Sequence, residues 1–243
     1  MKILKFRLWG ESAFFKKPDV NTYLYFTYSN IHKVALLGMF GAILGYRGYN
    51  QMKKNEEEFP EFYERLKDLK VGIEPKEGSR GNFSKKVQVF NNSVGYASQE
   101  QGGNLIVKEQ WLENPEWNIY VIVNSVEAEE LEGCIREYRS TFIPYLGKND
   151  HIANIEYIGT YNCKKADSDI ETIDSLALLK DLEVSDDIED VDYPYKYREN
   201  LPISLNKITN MYEYESFIYT NMFMDEIRIE EIYNVEGKNI VFF

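Results

Sequence analysis

In a chain of 243 residues, His32 and His151 are the only histidines, the residue type best suited to proton transfer near neutral pH. Metal-free RNA cleavage needs a base for the 2′-hydroxyl and an acid for the leaving oxygen. His32 stands beside Lys33 at the start of an apolar helical run. A helix N-terminus suits an anion but lowers the pKa of a histidine. His151 follows Lys148 and Asp150 in a loop. A binding or structural role is expected for both, with cleavage as the alternative. Asp186, Asp187 and Asp190 cluster, but acid runs of this kind form solvated faces, so no metal site is expected. The chain has no GxxxxGK[ST], GxSxG or HExxH pattern, and no cofactor is expected. Cys134 and Cys163 lack CxxC spacing and read as small apolar residues of a reducing compartment.

Binding is better supported than catalysis. Candidate phosphate contacts are Lys16, Lys17, His32, Lys33, Arg47, Arg80, Lys85, Lys86 and Lys108, and Tyr23, Tyr46 and Phe83 are candidates to stack on bases. The formal charge of −12 argues against a protein that coats nucleic acid non-specifically. The charge is uneven, however. Residues 1–55 hold nine Lys/Arg against two Asp/Glu, whereas residues 165–199 hold four against twelve. Anion binding on one face is compatible with that split. The 19 Tyr and 14 Phe suit stacking surfaces and ordinary cores equally.

These side chains must be carried by an ordered frame. Residues 2–9 alternate apolar and polar, a half-buried strand. Val34 to Gly45 has no polar side chain and reads as a buried helix with Gly38 and Gly41 on one face, where the sheet would approach closely. Ser29 or Asn30 is the expected N-cap and Gly45 the stop. The apolar run spans about 12 residues, whereas a membrane crossing needs about 20, and the expected compartment is the cytoplasm. A short helix over 56–67 and a strand over 69–73 follow. Residues 75–111 read as a Gly-flanked basic hairpin arm, and 118–124 as a strand. Ser125 caps a second helix, and 152–161 is a strand. This order is the split βαβ pattern of an α+β, ferredoxin-like domain with an insertion. It covers 1–163. Residues 164–243 read as an acidic linker, with a surface helix near 173–182, and a small β-rich C-terminal portion.

The N-terminal segment resembles the fifth Cas protein family of the RAMP superfamily. The residues that carry the resemblance are Gly10, Ala13, Phe14, Pro18, Thr22, Tyr23, Ser29 and the run Leu36–Gly45. The turn Pro144-Tyr145-Leu146-Gly147 is also similar to the family's, and Leu201–Asn206 with Tyr212–Asn221 is similar to type I-B-like members. The resemblance implies an RRM-like RAMP domain whose arm is a thumb. It implies a non-catalytic, RNA-binding subunit of a type I CRISPR Cascade complex that holds the crRNA 5′ handle in antiviral defence. A backbone subunit would meet the thumb, a large PAM-reading subunit would dock nearby, and target DNA would be met only within the complex. Repeat endoribonuclease activity and a pure assembly scaffold are the alternatives. No membrane partner is implied.

Overall fold

The computed structural model describes residues 1–19, 22–53, 56–167, 169–189 and 191–243. The chain begins with β1 (Lys2–Trp9), whose alternation sends Leu4, Phe6 and Leu8 into the main core and leaves Lys5, Arg7 and Trp9 half-buried on the other face. There follow β2 (Ser12–Ala13), α1 (Lys33–Leu44), α2 (Glu61–Leu66), β3 (Val71–Pro75), β4 (Lys85–Asn91), β5 (Ile106–Glu113), β6 (Glu116–Ile122), α3 (Val126–Arg136) and β7 (Asn154–Asn162). Strands β3, β6, β1 and β7 form one antiparallel sheet in that spatial order. With α1 and α3 as crossovers, this is the ferredoxin-like arrangement expected from the order of elements. The insertion between β3 and β6 is a hairpin of β4 and β5, extended by β2 on the far side of β5.

The C-terminal portion adds β8 (Ala177–Leu178), β9 (Leu182–Val184), β10 (Lys196–Leu205), β11 (Tyr212–Thr220), β12 (Met224–Ile227), β13 (Ile232–Val235) and β14 (Lys238–Val241). It shares the main core rather than forming its own. Leu201, Phe217, Ile218 and Phe243 cluster with Leu4, Phe40 and Val71. The β13–β14 hairpin covers the second sheet face, where Ile3, Tyr120 and Ile122 pack with Val235, Ile240 and Phe242. The expected surface helix over 173–182 is absent. Ile173, Leu176, Ala177 and Leu182 are buried in extended chain, with a single 3-10 turn at Leu179–Asp181. Their backbone groups find partners elsewhere: the Leu176 N–H donates to the Ile73 carbonyl, and β8 pairs with β11. Local spacing was compatible with either form, and distant partners decided it.

Helix α1 is apolar all round because α2, α3 and β10 enclose it as well as the sheet. Its N-cap is His32, not Ser29 or Asn30: the imidazole Nδ1 accepts from the Ala35 N–H at 3.2 Å. Asn30 is instead a buried hub, accepting from Trp117 Nε1 at 3.0 Å and donating to the Gly81 carbonyl at 2.8 Å. Gly45 ends the helix in the left-handed region at φ 82°. Gly41 does not serve the sheet. A Cβ there would lie 2.4 Å from the Phe62 Cβ, so it is α2 that approaches. At Gly38 the nearest atom to such a Cβ is Phe62 Cε2, at 3.9 Å. The short helix α2 starts at Glu61, later than the 56–67 expected, since Pro60 occupies its N-cap.

Candidate nucleic-acid interface

The arm carries three of the sequence-predicted cations, Lys85, Lys86 and Lys108, divided between its two faces. In the β4–β5 register Lys86 lies opposite Trp111 and Val89 opposite Lys108, and directly opposed residues share a face. Lys86 therefore shares a face with Gln88, Phe90, Val107, Glu109 and Trp111, whereas Lys85 and Lys108 share the other with exposed Val87, Val89 and Ile106. The connection between β2 and α1 lies along the arm. The Tyr25 N–H donates to the Lys108 carbonyl, and the Gln110 N–H donates to the Tyr25 carbonyl. Lys16 is thereby held with its ammonium 4.1 Å from the Tyr25 ring centroid. Tyr25, Phe90, Trp111 and Lys148 line an open groove of about 670 Å³ that runs along the arm from its base.

That base is built by residues the sequence did not point to as contacts. Buried Glu109 accepts from Trp111 Nε1 at 2.8 Å and from Lys148 Nζ at 3.2 Å. The Trp111 ring meets the His151 ring edge-on at 4.6 Å, and His151 Nδ1 lies 2.6 Å from Ser12 Oγ. Arm, turn and first strand connection are thus tied at one point. The sequence signals for it were His151 and Lys148, in the loop after the Pro144–Gly147 turn. His151 is buried, and its desolvation holds the imidazole below its usual pKa.

Several expected contacts lie elsewhere. His32 is buried among Phe15, Tyr28 and Tyr212, and burial drives its pKa down to about 3, so it is a neutral ring and not a surface cation. Lys33 is buried and donates to the Phe243 carbonyl at 3.2 Å. Phe83 is core, packed edge-on to Trp117 at 5.1 Å, and is inaccessible to a base. Lys17 pairs with Glu199 at 2.9 Å, and the same carboxylate accepts from the Ser29 N–H. Arg47 is held by Glu57 and Glu61, and Tyr46 lies under Arg65. Both follow the C-terminal end of α1, about 18 Å from its start at 1.5 Å per residue. Lys85 is half-buried, donates to Asn82 Oδ1 at 2.7 Å, and has its pKa lowered by burial. Lys16, Arg80 and Lys108 have no carboxylate partner among the described residues, and Lys86 has only Glu113 at 3.9 Å. Tyr23 is 95% exposed with φ 64°. Of the acids weighed as a metal cluster, Asp190 lies outside the described residues. Among those described, no group of His, Cys, Asp or Glu is arranged to hold a metal.

The sheet face that RRM domains use for bases is closed here. Half lies under β13–β14, where Lys238 pairs with buried Glu74, and the rest carries Glu116 and Glu156. Arg7 on that face is neutralised by Glu116 at 2.8 Å and Glu156 at 3.4 Å. On the arm side, by contrast, Lys16 and Lys108 have no carboxylate partner among the described residues.

No protein-family model and no curated protein matches the chain. Solved structures do. A crystal structure of a CRISPR protein from Archaeoglobus fulgidus superposes with a TM-score of 0.54 at 9% identity, covering 99% of each chain. A chain of a CRISPR RNA-guided surveillance complex superposes with a TM-score of 0.52 at 13% identity, covering 91% of this chain and 90% of that one. The chain has an α+β, ferredoxin-like fold, and at such identities its likeness to these CRISPR proteins is one of fold. No described helix is long and apolar enough to cross a membrane.

Proposed function

We propose that this chain is a non-catalytic, crRNA-binding subunit of a type I CRISPR Cascade complex, type I-B-like, that caps the 5′ handle. The supporting observation is the arm: a hairpin inserted between β3 and β6 that carries Lys86 and Lys108, with Lys16 held alongside by Tyr25. The exposed Val87, Val89 and Ile106, on the face opposite Lys86 and beside Lys108, suit an adjacent backbone subunit, with the large subunit nearby and the complex in the cytoplasm. Replacing Lys16, Lys86 and Lys108 by Gln is expected to weaken handle binding. It should also reduce the slope of log K against log salt by about 0.7 for each phosphate that is no longer neutralised. An unchanged affinity and slope would count against the reading.

The non-catalytic assignment draws support from the histidines. Both are buried and held neutral, so neither is a ready general acid at pH 7. Purified protein incubated with repeat RNA in EDTA is expected to leave it intact. Cleavage that His151→Ala abolishes would establish the endoribonuclease alternative instead. Photocrosslinking of a 4-thiouridine-labelled handle in the assembled complex should give adducts on this subunit, and none would be found on a pure scaffold.

A further inference from the structure

Each aromatic ring in the groove along the arm has a lysine beside it. Lys16 lies 4.1 Å from the centroid of Tyr25, Lys148 5.1 Å from that of Phe90 and Lys86 6.0 Å from that of Trp111. The ammonium at Trp111 is the most distant of the three, so this indole is the ring left for a ligand. Trp111 is also held in orientation. Its Nε1 donates to buried Glu109 at 2.8 Å, and the His151 ring meets it at 4.6 Å. An indole fixed at two points yet lining an open groove is a preorganised surface for binding.

Charge around the groove selects the ligand. The acids Glu109 and Asp150 are both engaged by Lys148, at 3.2 and 3.3 Å. Lys16 has no carboxylate partner among the described residues, and Lys86 has only Glu113 at 3.9 Å. The exposed Val87, Val89 and Ile106, which suit a protein, lie on the opposite face. An open indole between two available ammonium groups suits a polyanion with flat faces. A ring stacks only on a base whose face is open, which a continuous duplex does not offer along its length. We infer that Trp111 is a stacking platform for one base of single-stranded RNA laid along this face, with Lys16 and Lys86 taking phosphates. This rests on the RNA-binding reading above and adds to it a contact that no charge carries.

The test compares wild type with Trp111→Leu and Trp111→Phe in the full chain. The probes are short single-stranded RNAs of one sequence, intact or lacking the base at a single position. Removing one particular base should weaken wild-type binding about tenfold, the scale of one base–aromatic stack. Trp111→Leu should bind the intact RNA about tenfold more weakly, and removing that base should then cost nothing further, as a direct contact requires. Trp111→Phe should retain more affinity than Trp111→Leu. The salt slope should keep its wild-type value in both variants, because stacking neutralises no phosphate. Equal binding of every base-deleted RNA by wild type, or a base-deletion loss that persists in Trp111→Leu, would overturn the inference. If Lys16→Gln and Lys86→Gln still weakened binding in that case, the arm reading would stand without the stack. Failure of wild type to bind any of the RNAs would remove both. A photoreactive residue at Phe90 that captures a partner protein and no RNA in the assembled complex would assign the face to protein instead.

Discussion

Lys33 shows what one buried charge does to this molecule. Burial and the nearby Lys70 lower its pKa from 10.5 to about 8, against a smaller opposing effect of Asp68. The unfolded chain therefore binds more protons than the folded one between pH 8 and 10.5, and stability rises with pH through that window. The upper bound is about 3 kcal/mol, at about 1.4 kcal/mol per pH unit. Urea denaturation of wild type and Lys33→Met at pH 7.5 and 9.5 should show a rise in wild type that the variant lacks. His32 acts at the acid end with the same sign. Its folded pKa of about 3 lies below the ordinary 6.5, so stability falls as pH drops below 6.5. Burial reversed the roles read for both residues. Two polar side chains at a helix start look like a surface site until the elements that cover them are placed.

At the scale of elements, the glycines of α1 divide their work. Gly41 is fixed by contact, and Gly41→Ala should destabilise the protein by about 1–3 kcal/mol because its methyl would enter Phe62. Thermal melts of Gly41→Ala and Gly38→Ala should therefore shift in opposite directions. The sequence marked both as places of close approach, but spacing on one helical face could not name the partner. The arm was legible as a Gly-flanked basic hairpin, and β4 and β5 both lie within the 75–111 span expected or within two residues of it. Its attachment was not legible. Glu109, Trp111, Lys148 and His151 come from segments up to 42 positions apart, and nothing local links them. Glu109→Gln should loosen that junction, read as faster amide exchange across β5 and a changed Trp111 emission.

Across the whole molecule, the portion after residue 163 is expected to unfold together with the ferredoxin-like half, because Phe217 and Phe243 share its core. The chain's three tryptophans, Trp9, Trp111 and Trp117, all lie in the first half, so their fluorescence reports that half alone. Urea transitions followed by tryptophan emission and by far-UV circular dichroism should coincide. Two separated transitions would show that residues 164–243 fold as an independent unit.

The sequence by itself determined the order of strands and helices in the first 163 residues, the arm, the β-rich character of the end and the uneven charge. Each of these is written in local periodicity, turn residues and composition. Tertiary structure alone decided that 173–182 is extended, that Phe83, His32 and Lys33 are interior, and that the RRM-type sheet face is shut. Those outcomes depend on which distant segment supplies a hydrogen-bond partner or a covering side chain. Alternation along one segment has no information about that choice.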